Sequence, residues 1–222
     1  LLIDLSTYFS TDEDSRQYNV LEPPLGLMAL QTYVDAKLGD KVQTKISKSL
    51  IDFDSYEELL ELVNDYKPDF FKVLSWQANN MKLLTSLFNY NRPVYISLGT
   101  LSKRSIISLY KKIRNQFSNF GFIHTQLNYE KTDLNLNFIS YLHENTQVPI
   151  CYGHHAQNSI LPIYLALALS VDKIFIYVKL STKYLHPDED HAIYISDLPE
   201  LMGNLENCIE FLGSTKKKAT PN

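Results

Sequence analysis

The sequence is poor in the residues that mark several classes of protein. Its two cysteines, Cys151 and Cys208, are too few for a disulfide framework and lack zinc-site spacing, so we expect a reducing, cytoplasmic environment. The longest uninterrupted apolar run, residues 160–169, is shorter than the ~18 residues that a membrane span needs. A formal net charge of −4 at pH 7, without a stripe of basic residues, gives no indication of a nucleic-acid-binding surface. Small molecules or other proteins are the expected partners.

The two ends of the sequence carry little information about function. The chain opens Leu-Leu-Ile-Asp-Leu, with no basic segment before an apolar stretch, so we expect no signal peptide. Residues 214–222 are polar and include a run of three lysines, which predicts a solvated tail. Residues 1–213 contain no low-complexity linker and no fixed repeat, and we expect them to form a single domain.

Segments typical of strands alternate with segments of helical periodicity along the chain. Strands are predicted near residues 2–6, 42–46, 70–75, 94–98, 122–125, 149–152 and 174–180. Helices are predicted near residues 25–37, 56–66, 78–89, 102–119, 134–145, 159–170 and 198–212. This alternation predicts an α/β fold with a parallel sheet, either TIM-barrel-like or open and doubly wound. Seven βα units are one fewer than a closed (β/α)8 barrel has, so we expect an incomplete barrel.

Residues 148–155, Val-Pro-Ile-Cys-Tyr-Gly-His-His, place two imidazoles after a short buried strand. Barrel enzymes keep their chemistry at the carboxyl ends of the strands, which makes His154 and His155 candidates for a functional site. Two adjacent histidines alone are equally compatible with one that hydrogen-bonds a neighbouring loop and one that is solvated. The rest of the sequence has to decide between these interpretations.

Several segments follow the order of the strand motifs of a known family. The segments are Lys-Val-Leu-Ser at 72–75, Arg-Pro-Val-Tyr-Ile-Ser-Leu-Gly at 92–99, Ile-His-Thr-Gln-Leu-Asn-Tyr at 123–129, the octapeptide 148–155, and Asp-His-Ala at 190–192. In order and spacing this series resembles the sialic acid synthases (N-acetylneuraminate synthases), over about residues 68–213.

The resemblance implies an enzyme of carbohydrate biosynthesis. In this family phosphoenolpyruvate condenses with the open-chain aldehyde of an N-acylated amino sugar. The substrate-binding positions that the resemblance implies are Lys41, Lys72, Ser75, Ser97, Asn128 and Tyr129. Because parallel strands end at the same edge of a sheet, we expect the side chains of Lys72, Ser75, Ser97, Asn128 and His155 to converge there. The sequence assigns no catalytic acid or base.

The resemblance also implies a divalent metal, Mn²⁺ or Mg²⁺, held by two histidines. His155 matches the first, whereas the second falls at Tyr177 or Lys179, and neither side chain replaces a neutral imidazole well. His154 and His155 would point to opposite sides of a regular strand, so they are not expected to share one ion. His186, Asp188, Glu189, Asp190 and His191 could supply other ligands, but their composition favours a solvated acidic loop.

Residues 1–67 have two interpretations. Lys-Val-Gln-Thr at 41–44 resembles the family strand whose lysine meets the phosphate of phosphoenolpyruvate, which makes Lys41 a candidate. Residues 22–30 and 64–70 instead resemble parts of a cobalamin-binding, flavodoxin-like half domain. The Asp-x-His-x-x-Gly signature of cobalamin ligation is absent from this region, so we expect no cobalamin.

Two functions therefore remain open. The first is a divergent synthase with reduced or lost activity, and the second is a non-catalytic descendant that binds a sugar phosphate or a protein partner. Trp76 stands where the family has a glycine, and a ring there would fill the space for phosphoenolpyruvate. We predict that the chain makes sialic acid more slowly than the family typically does. Open edges of an incomplete barrel also favour a homo-oligomer.

Overall fold

A computed structural model of the chain describes residues 2–3, 68–127, 131–179 and 190–216. Six strands form one parallel sheet in the order β1-β6-β5-β4-β3-β2. They are β1 (Leu2–Ile3), β2 (Phe71–Val73), β3 (Val94–Ser97), β4 (Phe120–His124), β5 (Ile150–Gly153) and β6 (Lys173–Ile176). The predicted parallel α/β fold is confirmed. The first strand, β1, pairs in parallel with β6.

The sheet is strongly curled around its inner face. In a flat sheet the four steps from β2 to β6, at about 4.8 Å each, would hold their residues roughly 19 Å apart. The ring centroids of Phe70, beside β2, and Phe175, on β6, are nevertheless only 6.2 Å apart. Tyr95, Ile123 and Cys151 complete this buried inner cluster. The described strands therefore form part of a barrel wall with a packed interior.

Five helices accompany the strands in the part of the chain that the structure describes. They are α1 (Met81–Phe88), α2 (Lys103–Ile113), α3 (Phe138–Asn145), α4 (Leu161–Ala168) and α5 (Leu198–Leu212). Asn80 and Ser102 begin α1 and α2 by accepting backbone N–H bonds from Leu83 and Ser105. The larger core cluster lies between the helices and the outer face of the sheet. Among the described residues, no helix has the length and apolar character needed to cross a membrane.

The end of the barrel sequence differs from the prediction. A single strand over 174–180 was expected, but β6 ends at Ile176 and β7 (Val178–Lys179) pairs in parallel with β8 (Ile193–Tyr194). Two-residue strands are too short to show alternation, which is why the sequence did not reveal β8. The helix expected over 102–119 ends at Ile113, because the residues after it are mainly polar and exposed.

Some predictions lie outside the described residues. They are the strand near 42–46, the helices near 25–37 and 56–66, and the resemblance of residues 22–30 to a cobalamin-binding half domain. The count of seven βα units, and with it the closure of the barrel, stays a prediction for the same reason. The extent of the single domain is likewise still a prediction.

Gly121 lies where the barrel interior is most crowded. A Cβ at this position would be 2.8 Å from the carbonyl oxygen of Pro149 and 3.0 Å from the Tyr95 ring. We expect Gly121→Ala to lower the free energy of unfolding by about 1 to 3 kcal/mol, because the backbone oxygen cannot move aside cheaply. Urea unfolding measures the change.

Gly203 provides the matched control, since a Cβ there would meet nothing within 4 Å. It lies inside α5, and Gly203→Ala should raise the free energy of unfolding by about 0.5 to 1 kcal/mol. If the two substitutions shift stability in the same direction, the described packing around Gly121 is incorrect.

Candidate functional site

A pocket opens at the carboxyl ends of the strands. Its polar and aromatic lining includes Lys72, Ser75, Ser97, Thr125, His155 and Tyr177. Side chains alternate along a strand, so a residue two positions after an inner-face residue faces the same interior. Ser97, Thr125 and Tyr177 stand in that relation to the inner cluster residues Tyr95, Ile123 and Phe175. The pocket therefore continues the barrel interior upward.

The pocket contains four of the residues singled out from the sequence. Lys72, Ser75, Ser97 and His155 border it together, as expected for side chains at one edge of a parallel sheet. Lys41, Asn128 and Tyr129 lie outside the described residues, so their positions stay predictions. The assignment of all seven residues to substrate or metal binding is a proposal taken up below.

Ser75 is held rigidly at the base of the pocket mouth. It begins a 3-10 turn, Ser75–Gln77, and is 7% exposed. Its hydroxyl oxygen accepts the backbone N–H of Gly99 at 3.0 Å, and its carbonyl oxygen accepts the Thr100 hydroxyl at 2.7 Å. These bonds join the turn after β2 to the turn after β3. The backbone at the pocket edge is thus fixed before any ligand arrives.

Lys72 supplies a cation inside the barrel wall. Its ammonium nitrogen lies 5.4 Å from the centroid of the Phe175 ring and 5.2 Å from that of Tyr177. Aromatic faces attract cations, so these two rings orient the ammonium towards the pocket. An ammonium in a partly enclosed, largely apolar pocket interacts strongly with an anion, because little water screens the pair.

His155, Tyr177 and His191 form a three-ring cluster beside the pocket. The centroids of His155 and His191 are 4.3 Å apart, and those of His155 and Tyr177 are 5.1 Å apart. Tyr177 meets His191 edge to face at 4.9 Å. Lys179 instead lies over the Tyr194 ring, at 4.6 Å. Of the two residues that could occupy the position of the second metal histidine, the structure thus places Tyr177 next to His155.

The described residues do not fit the divalent metal that the resemblance implies. They contain no group of three or more His, Cys, Asp or Glu side chains able to hold an ion. The donors beside His155 are the His191 imidazole and the Tyr177 phenol, and a phenol is a poor metal ligand at neutral pH. Of the loop cluster 186–191, only Asp190, which is exposed, and His191, which is buried, are described.

His154 points away from the pocket, so the two adjacent histidines face opposite sides as predicted. Its side chain is 1% exposed, and its Nδ1 lies 3.4 Å from the Tyr152 hydroxyl. Burial lowers the pKa of His154 to about 4, and His191 adds a smaller effect in the same direction. His154 is therefore a neutral residue of the outer core at physiological pH.

The buried imidazole of His154 predicts acid sensitivity. In the unfolded chain it titrates near pH 6.5, so between about pH 6.5 and pH 4 the unfolded state binds the extra proton. Stability should fall as the pH drops through this window, by roughly 3 kcal/mol from this group. Urea unfolding at pH 7 and pH 4 should show a smaller pH-dependent loss for His154→Gln than for the unmodified chain. An equal loss in both proteins would contradict the assignment.

Cys151 lies under the pocket, in surroundings that disfavour its thiolate form. Its side chain is fully buried in the inner cluster. Burial, assisted by the nearby Asp172 carboxylate, raises the pKa of its thiol to about 12. Because the thiolate is the reactive form, covalent catalysis by Cys151 is disfavoured.

Thr125 is a pocket residue that the sequence did not single out. It is 5% exposed, and its hydroxyl oxygen has no hydrogen-bond partner within the described part of the chain. A buried hydroxyl without a partner costs free energy, which a polar ligand in the pocket would recover. The signal in the sequence was its position two residues after Ile123, on the inner side of β4.

Trp76 does not plug the pocket. Its side chain is 65% exposed and lies at the pocket mouth, directly after the anchored Ser75. The expectation that a ring at this position would fill the phosphoenolpyruvate space is wrong. Trp76 lies in the 3-10 turn Ser75–Gln77 and not in a continuation of β2.

The fold and the pocket define a parallel βα protein of the barrel type, with its site at the carboxyl ends of the strands. The profile of the NeuB family matches residues 36–217, and the chain belongs to this family. The recognition of a divergent sialic acid synthase family member from the strand motifs is thereby confirmed.

Individual relatives agree with this assignment. Human N-acetylneuraminate-9-phosphate synthase is 26% identical over 168 residues, which are 74% of this chain and 46% of the relative. The chain thus spans about half the length of the curated relatives it matches. The N-acetylneuraminic acid (sialic acid) synthetase of Leptospira borgpetersenii serovar Hardjo-bovis, solved in complex with citrate, has a TM-score of 0.63 at 24% identity, over 72% of this chain and 57% of that one.

A further structure supports the fold alone. The spore coat polysaccharide biosynthesis protein of Bacillus subtilis has a TM-score of 0.67 at 18% identity. The alignment covers 96% of this chain and 63% of that one.

Proposed function

We propose that this chain is a sialic-acid-synthase-like protein of carbohydrate biosynthesis whose pocket binds phosphoenolpyruvate and an N-acylated amino sugar. Membership of the NeuB family supports the class of reaction. The observation that carries the proposal is the convergence of Lys72, Ser75, Ser97 and His155 on one pocket. Lys41, Asn128 and Tyr129 are the remaining proposed substrate-binding residues.

The pocket is suited to an anionic ligand. Lys72 offers a positive charge at its side, and Ser97 and Thr125 offer buried hydroxyl groups above the inner cluster. Charge-assisted hydrogen bonds to phosphate or carboxylate oxygens are stronger than neutral ones. Binding of an anion would also give the Thr125 hydroxyl a partner. Lys72 and Thr125 would therefore orient phosphoenolpyruvate with its charged end inside the barrel.

The condensation joins C3 of phosphoenolpyruvate to the aldehyde carbon of the sugar. The aldehyde oxygen takes a proton, water adds to C2 of the former phosphoenolpyruvate, and phosphate leaves. In this chain, Lys72 would hold the anion, and the anchored Ser75 turn would limit its movement. His155 lies at the pocket wall, where an imidazole can accept a proton and its protonated form can return it.

A second candidate function is a non-catalytic descendant that binds a sugar phosphate or a protein partner. Tyr177, which neighbours His155 where the resemblance implies a second metal histidine, favours it, because a phenol would hold a metal that polarises the aldehyde less well than an imidazole would. On either function we propose that sialic acid synthesis by this chain is slower than is typical of the family.

Phosphate release from phosphoenolpyruvate tests the proposal. The full chain is incubated with phosphoenolpyruvate and N-acetylmannosamine, with and without Mn²⁺, and the condensed acid is identified by mass spectrometry. We expect the acid and phosphate to form in equal amounts, at a rate below ~1 per second, the lower end of the ordinary enzyme range. Substrate binding without product supports the second candidate. Absence of phosphoenolpyruvate binding contradicts the first candidate.

We also propose that the protein is a cytoplasmic homo-oligomer. The seven βα units predicted from the sequence leave the barrel one unit short, and an open strand edge invites pairing with another chain. Light scattering on the purified protein should give a mass that is a multiple of 25.6 kDa. A mass of 25.6 kDa at all concentrations would contradict this proposal.

A further inference from the structure

Trp76 is an exposed indole on a rigid support. The residue before it, Ser75, is anchored by two hydrogen bonds, from the Gly99 N–H and the Thr100 hydroxyl. The indole itself is 65% exposed although it lines the pocket. A large aromatic ring held in water by a fixed turn costs hydration free energy, which a ligand covering the ring would recover.

Leu127 is a second exposed apolar side chain at the same mouth. It lines the pocket and is 45% exposed. A Cβ on Gly99 would lie 3.0 Å from Leu127 Cγ and equally 3.0 Å from Ser75 Oγ. The turns that carry Leu127 and Trp76 therefore border the same stretch of backbone. The pocket has an apolar mouth above a cationic interior.

We propose that Trp76, together with Leu127, determines the specificity of this pocket for the N-acyl group and the adjoining C–H face of the acceptor sugar. The inference rests on the proposed function and concerns only the outer half of the pocket. An anion is attracted inward to Lys72, which leaves the mouth to the neutral substrate. Indole faces pack well against flat arrays of C–H bonds, and Leu127 packs against an acyl methyl.

The sequence contains one tryptophan, so emission excited at a wavelength that the tyrosines do not absorb reports on Trp76 alone. Acrylamide quenching is measured for the full chain with phosphoenolpyruvate, with N-acetylmannosamine, and with mannosamine, which lacks the acyl group. We expect N-acetylmannosamine to reduce the quenching constant roughly twofold, because it covers the exposed ring face. Mannosamine should protect less, and phosphoenolpyruvate alone should leave the quenching constant unchanged.

Calorimetric titration of variants provides the second measurement. Trp76→Gly should weaken N-acetylmannosamine binding about tenfold, and Trp76→Phe should retain most of it. Neither variant should alter the affinity for phosphoenolpyruvate. Phe211→Ala removes an aromatic ring that is 87% exposed on α5, away from the pocket lining, and should change neither affinity.

Three results would overturn the inference. They are undiminished quenching at a sugar concentration that saturates the calorimetric signal, unchanged sugar affinity in Trp76→Gly, and no sugar binding at all. Failure of phosphoenolpyruvate to bind counts against the proposed function instead. In that case, protection of Trp76 by N-acetylmannosamine would still support its role as a sugar-binding residue.

Discussion

Replacing Lys72 with methionine should weaken phosphoenolpyruvate binding about 100-fold, a loss of roughly 2.7 kcal/mol. Methionine keeps most of the length and apolar character of the side chain but removes the charge. The phosphate or carboxylate would then lie over the aromatic rings of Phe175 and Tyr177 without a cation between them. Isothermal titration calorimetry of the two proteins with phosphoenolpyruvate measures the difference.

Lys111→Met is the control for this experiment. Lys111 is exposed on the outer helix α2, so its loss changes the net charge of the protein equally but leaves the pocket intact. We expect less than a twofold change in affinity, because surface charges are well screened by salt. If the two variants bind phosphoenolpyruvate equally well, Lys72 does not hold the anion.

Replacing Tyr177 with histidine should add a third imidazole beside His155 and His191 and raise the affinity for Mn²⁺ at least ~10-fold. The side chains of Tyr177 and His155 already stand 5.1 Å apart between ring centroids, within reach of a common ion. A neutral imidazole is a far better ligand than a protonated phenol at pH 7. Free Mn²⁺ in equilibrium with the protein can be measured by electron paramagnetic resonance.

Lys179→His provides the matched comparison. It introduces the same side chain two residues further along, where the native lysine lies over the Tyr194 ring. We expect little gain in Mn²⁺ affinity from this variant. If Lys179→His gains affinity and Tyr177→His does not, the structure assigns the second-histidine position to the wrong residue.

The sequence predicted the interior of the site better than its rim. Alternation along a strand is enough to place Ser97 and His155 on the inner side, because their neighbours on the strand fill the outer core. The same rule could not choose between Tyr177 and Lys179, since both are odd-numbered positions on one predicted strand. The break between β6 and β7 distinguishes the two residues, because Lys179 then pairs with Tyr194 of β8 and lies over its ring.

Backbone turns account for the other differences. Trp76 was expected inside the pocket because the sequence does not show that a 3-10 turn follows β2. That turn depends on hydrogen bonds from Gly99 and Thr100, which are 24 and 25 residues away in the chain. Long-range contacts of this kind have no local signal. For Thr125, alternation along the strand predicts that the side chain faces the barrel interior. Only the structure shows that its buried hydroxyl has no hydrogen-bond partner in the described residues.

A crystal structure of the full chain with phosphoenolpyruvate tests the central claim most directly. We predict one molecule in the pocket between Lys72, Ser97 and Thr125, with a phosphate or carboxylate oxygen within about 3.2 Å of the Lys72 ammonium and of the Thr125 hydroxyl. Phosphoenolpyruvate bound elsewhere on the protein, with this pocket empty at a saturating concentration, would contradict the account.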